Sequence, residues 1–134
     1  MLDFFLNLVQ TSTHTTRVKT MDRMINFKDS IGQHVPVHTR ESLERYFLYG
    51  LPPGGFLTHV LTNNLYGAIV SADYQNKENI RSIVEWIMIH APGGSYGCHE
   101  TMNQWLRDAD GYRTRYREQV EKEYTWRSLK GTVK

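Results

Sequence analysis

The chain has 134 residues, 40% of them apolar and 22% charged, with a net charge of +2 and one cysteine, Cys98. That length suits one domain burying roughly two thirds of the surface its unfolded form exposes, and three Trp, five Phe and eight Tyr supply its core. The lone cysteine excludes an internal disulfide framework and a multi-cysteine metal site, no run reaches the roughly 20 apolar residues of a membrane-spanning helix, and so small a net charge does not call for a polyanionic partner.

The opening MLDFFLNLVQ is apolar but short, carries Asp3 in place of a basic n-region and lacks a small-residue cleavage site, so it does not read as a signal peptide. A cytoplasmic protein is the expectation. TSTHTT at 11–16 has no apolar face and reads as a linker, and Met21 and Met24 offer later start sites. Counting Lys and Arg against Asp and Glu gives +1 over 1–36, −2 over 37–106 and +3 over 107–134, which places any electrostatic function at the C-terminal end.

From Pro36 the helical signal sharpens. Thr39 suits an N-cap, Leu43, Tyr46 and Phe47 follow at i, i+3, i+4, and Glu41 and Arg45 are spaced to pair. Gly50 ends this helix ahead of Pro52 and Pro53. A second run from Gly55 or Phe56 carries Leu57, Val60, Leu61, Leu65, Ala68 and Ala72 as an apolar stripe, with a break expected at Asn63 and Asn64. Asn76 suits the cap of a third helix bearing Ile80, Ile83, Val84 and Ile87, with Trp86 and Met88 widening its apolar arc, and Pro92, Gly93 and Gly94 stop it after Ala91. A fourth helix from about Cys98 carries Met102, Trp105 and Leu106. After Gly111 a last run repeats Tyr112, Tyr116, Val120 and Tyr124 every four residues.

No run alternates long enough for a half-buried strand. The expected class is all-α: a compact bundle of five or more short helices joined by Pro/Gly corners. An N-terminal extension spans 1–20, a helical core domain 21–108 and a basic aromatic helix 109–134.

Four constellations invite a chemical reading. The corners PPGG at 52–55 and PGGS at 92–95 each precede a helix, so Gly54, Gly55, Gly94 and Ser95 are candidate anion-binding helix starts, although neither matches a phosphate-loop motif. A structural corner is favoured. His14, His34, His38, His59, His90 and His99 are scattered, and no multi-ligand zinc motif joins them to Cys98, so no metal or other cofactor is expected. A Cys98 nucleophile would need a helix N-terminus and a nearby base, which adjacency to His99 does not supply. Residues 39–62 have the outline of a helix-turn-helix, but FLTHVLTN offers no Arg or Lys to a DNA backbone.

The last run interleaves Arg113, Arg115, Arg117 and Arg127 with Tyr112, Tyr116, Tyr124 and Trp126. Arginine can hold phosphate and aromatics can stack on unpaired bases, so a nucleic acid is possible there. Glu118, Glu121 and Glu123 blunt that field, and docking through the Tyr face, on this protein or a partner, is favoured.

The block VPVHTRESLERYFLYGLPPGGFLTHVLTNNLYGAIVSADYQN, continuing to IVEWIMIHAPGGSYG, resembles a set of small proteins encoded by bacteriophages and prophages. The shared skeleton is His38 to Arg40, Arg45 and Tyr46, Pro52 to Gly54, Phe56 and Leu57, Val60 and Leu61, Ala72 and Asp73, and Pro92 and Gly93, over about residues 36–106. Cys98 and His99 stand where the set would have Ser-Pro. The resemblance implies a phage origin and action in the bacterial cytoplasm, and it brings no catalytic residues. The expectation is therefore a small interaction protein that binds and modulates a host or phage protein, as an accessory or anti-defence factor. Its alternatives are a nucleic-acid binder using the C-terminal helix, and an enzyme or metal-binding protein centred on Cys98 and the histidines.

Overall fold

A computed structural model describes residues 23–133. The extension at 1–20, with His14 and the linker, lies outside the described residues, as does Lys134. Among the described residues there are seven α-helices and no strand: α1 (Val37–Tyr49), α2 (Gly55–Leu61), α3 (Leu65–Ser71), α4 (Tyr74–Glu78), α5 (Ile80–His90), α6 (His99–Arg107) and α7 (Tyr112–Val133), preceded by a 3-10 turn at Gly32–His34. The all-α bundle of short helices joined at Pro/Gly corners is what forms, with one long member, the 22-residue α7.

The core is an aromatic chain that crosses the bundle. Phe27 stacks on Trp86 at 4.3 Å, Trp86 meets Phe47, and Tyr46 and Tyr116 carry the contact on to Trp105. Leu43, Leu61 and Ile83 belong to the same buried cluster, and so does Val120 of α7. Helix α7 thus shares the core formed by the described residues before it, 23–108. Ring pairs of this kind add about 0.5–1.5 kcal/mol each beyond the area they bury.

Two expected caps do other work. Pro36 is the N-cap of α1, which puts Thr39 inside the first turn, buried, with its hydroxyl donating to Asn76 Oδ1 at 2.5 Å. Asn76 likewise sits inside α4, and Asp73 caps that helix by accepting the Asn76 backbone N–H at 2.8 Å. Each buried polar side chain is the other's partner, which removes most of the cost of burying either. Asn79 precedes α5 without a side-chain cap. The Glu41–Arg45 pair is also replaced: Arg23 reaches Glu44 at 3.0 Å and Glu41 at 3.4 Å, and Glu44 accepts the backbone N–H of Met24 as well.

The expected break between α2 and α3 is present, with Asn63 in the left-handed region at φ 66 and Asn64 capping α3 through the Gly67 N–H. The break rotates the following helix. Ala68 stays buried, but Leu65 turns outward, so the stripe read through 57–72 is not continuous. Gly67 allows α3 to lie on the His59 ring, where a Cβ would stand 2.5 Å from Nδ1. Met88, expected in the apolar arc of α5, is exposed as well.

Gly50 closes α1 at φ 67, its N–H donating to the Tyr46 carbonyl and the Leu51 N–H to that of Arg45. A Cβ there would lie 2.6 Å from Arg113 Cζ, so a side chain would meet backbone strain and displace the guanidinium together. Gly50→Val should lower unfolding free energy by about 1–3 kcal/mol. A urea midpoint equal to that of the wild type would contradict this.

Candidate interaction surface

The residues expected to meet a partner sit mainly on α7, and much of their chemistry is directed inward. Asp108, left-handed at φ 54, ends α6 and accepts both the backbone N–H of Arg113 and the Thr114 hydroxyl, which starts α7 across Gly111. Arg113 then donates through Nε to the Trp105 carbonyl at 3.1 Å and through Nη2 to that of Leu106. Arg117 donates to the Leu48 carbonyl at 3.2 Å, and Arg127 to that of Met24 at 2.7 Å while lying over the Tyr124 ring. Tyr116 is half-buried between Phe47 and Trp105, and burial pushes its hydroxyl pKa upward. Arg115 faces out, stacked 4.9 Å over the exposed ring of Tyr112 and donating to the Asp110 carbonyl.

The two corners differ. Gly54 and Gly55 open α2 with free space where a Cβ would be, whereas Gly94 and Ser95 are not at a helix start: α6 begins at His99, with Cys98 as N-cap. Ser95 is buried, its hydroxyl donates to the Pro92 carbonyl, and its own carbonyl accepts the Tyr46 hydroxyl at 2.7 Å. That corner holds α1 in place.

Several residues quoted for the resemblance converge. His38, Thr39, Gly54, Phe56, Leu57 and Asp73 line one cleft of about 260 Å³. His38 Nε2 and Asp73 Oδ2 stand 2.9 Å apart while Asp73 Oδ1 caps α4, so both carboxylate oxygens are engaged in joining helix ends. Two other histidines are similarly paired: His90 with Asp29 at 2.6 Å beside the Trp86 ring, and His59 through Nδ1 with the Asn64 amide. His34 and His99 are exposed. Among the described residues no group of three or more His, Cys, Asp or Glu converges to hold a metal. The exposed Cys98 thiol contacts the Thr101 hydroxyl at 3.3 Å, which draws its pKa below the ordinary thiol value. On α2, Thr58 and Thr62 turn their hydroxyls to backbone carbonyls and so offer little to a DNA groove.

Sequence reasoning missed a second concavity. Between α5, α7 and residues 24–26 runs a groove of about 430 Å³ whose walls include Met24, Trp86, Tyr116, Trp126 and Arg127. Trp86 is almost wholly buried, and its Nε1–H has no acceptor among the described residues, a deficit of about 1–3 kcal/mol. Trp126, on the opposite lip, is 62% exposed. Trp, Tyr, Arg and Met are the residues enriched in protein interfaces, and their gathering is visible only once α5 and α7 are placed together.

Comparison of the chain with protein-family models, with curated proteins and with solved structures gives no match.

Asp29, Asp73 and Asp108 are all held below the ordinary carboxylate value of 3.8, chiefly by the Gly32 N–H, the Asn76 N–H and the Thr114 hydroxyl respectively. A depressed carboxylate contributes stability that is complete above its unfolded pKa and lost as pH falls through the folded one. Stability should therefore decline as pH drops below about 4. The double variant Asp29→Asn, Asp73→Asn should lose less over that interval, and urea curves that fall in parallel for both proteins would contradict the assignment.

Proposed function

We infer that the chain is a small helical interaction protein of phage origin, which acts in the bacterial cytoplasm by binding and modulating a host or phage protein. The observation that carries this reading is the aromatic groove beside α7. Its volume of about 430 Å³ falls within the range of clefts that bind ligands. Its occupant is an amphipathic segment of the partner, one apolar side chain inserted between Trp86 and Trp126 and the rest lying along α7 toward Arg115. Among the described residues the buried Trp86 indole N–H beside this groove finds no acceptor. The resemblance over residues 36–106 supports the phage origin.

A protein partner is favoured over a nucleic acid because Arg113, Arg117 and Arg127 donate to backbone carbonyls and so have less to give to phosphates. Modulation follows from occupancy, since a partner segment seated in this groove is withheld from its other ligands.

Affinity capture from infected cells with wild type and Trp126→Ala tests the reading. Truncating an interface tryptophan costs about 2 kcal/mol or more, roughly 30-fold in Kd. A partner held by the wild type and lost by Trp126→Ala, with helical content unchanged, is the expected result. Equal recovery by the two would remove the groove from the account.

A further inference from the structure

Helix α3 reads LYGAIVS; it has no charged side chain, and its polar groups are the Tyr66 and Ser71 hydroxyls. Leu65, Tyr66, Ile69 and Val70 fall at i, i+1, i+4 and i+5, on one face, and that face points to solvent: Tyr66 is 84% exposed and Val70 85%. The inward side is small, Ala68 buried and Gly67 against His59. A surface helix of a monomer turns polar side chains to water, whereas a helix apolar on all sides belongs in an interior. Tyr74, at the start of α4, is another large exposed apolar side chain close by in the chain.

The charge pattern says what kind of partner covers this face. No Lys, Arg, Asp or Glu occurs between Arg45 and Asp73, a stretch that takes in α2, α3 and both turns beside them. A face made for a different protein ordinarily carries charges complementary to it, which guide encounter and reject wrong partners. This face carries none. In a two-fold pair the same patch meets itself, residue i against j and j against i, so an apolar patch without charges is self-complementary, and homodimer interfaces are the more apolar class.

Area is consistent with such a pair. Taking about 200 Å² for a fully exposed tyrosine and somewhat less for an aliphatic side chain, the four residues at their exposures present on the order of 500 Å². Two copies would cover about 1,000 Å², the size of weak, transient interfaces. We propose that α3 is a self-association face, and that the protein forms a two-fold dimer by packing Leu65, Tyr66, Ile69 and Val70 against the same residues of a second copy. The pairing is reversible, as an interface of that size implies.

The dimer does not depend on the aromatic groove, which lies on other elements. Sedimentation velocity of the full chain, from about 1 µM to about 1 mM, tests it directly. The wild type should shift from monomer toward dimer across that range. Val70→Glu and Tyr66→Glu should each remain monomeric with unchanged circular dichroism, since both sites are solvent-facing, while Trp126→Ala should dimerise like the wild type. A wild-type chain that stays monomeric throughout, whether or not it binds another protein or a lipid vesicle, would overturn the proposal. So would a Val70→Glu variant that dimerises as strongly as the wild type.

Discussion

The C-terminal end of α1 governs the arrangement of everything after it. A helix leaves its last carbonyls short of intrahelical donors; here that of Tyr46, which already accepts the Gly50 N–H, takes a second donor from later in the chain, and that of Leu48 takes its donor there too. Trp105 of α6 donates its indole N–H to the Tyr46 carbonyl at 3.1 Å, and Arg117 of α7 donates to that of Leu48. Gly50 turns the chain away in a left-handed step, and the space its missing side chain leaves is occupied by the Arg113 guanidinium, which itself closes the end of α6. Positive charge at helix C-termini is favoured further by the helix dipole. One helix end thereby fixes the positions of two later helices.

That arrangement explains why the basic aromatic helix was legible as an element and not as a role. Alternating Arg and Tyr reads equally as a surface for phosphates and bases or as a row of donors for carbonyls. Sequence carries no record of which carbonyls lie opposite. Once α1 and α6 both end beneath α7, Arg113 and Arg117 have partners at hydrogen-bonding distance, and Tyr116 and Val120 fill the seam between them. The groove beside Trp126 was illegible for the same reason, because Trp86 and Trp126 are forty residues apart and meet only through packing.

Helix existence was largely legible, because Gly50, the Asn63–Asn64 pair, Pro92 and Gly111 punctuate periodic runs and each acts through local backbone preference. Capping was less so. Thr39 and Asn76 are good caps considered one at a time, yet together they form a buried hydrogen bond, a choice available only when two helices are adjacent. Asp73, three residues earlier, took the vacated role at α4 and engaged His38 with its other oxygen. The facing of Leu65 was lost to a geometric cause: a single left-handed residue at Asn63 resets the phase of all that follows, and periodicity cannot register the rotation.

Helix α3 gains little from the monomer. Its one buried residue is Ala68, and seven residues lie well below the length at which a helix holds itself together in water. Its order is supplied by α2, through the Asn64 cap and the close approach at Gly67. The large apolar side chains that would ordinarily hold such a short helix to a core instead face outward. Burying a leucine, isoleucine or valine is worth about 1.5–3 kcal/mol, and α3 realises only part of that while Leu65 and Val70 remain largely wet. Placing bulk outside and small residues inside is therefore costly in an isolated chain. Against a second copy it becomes an efficient design, because the small inner face lets the helix sit close to α2 while the bulky outer face supplies the contact.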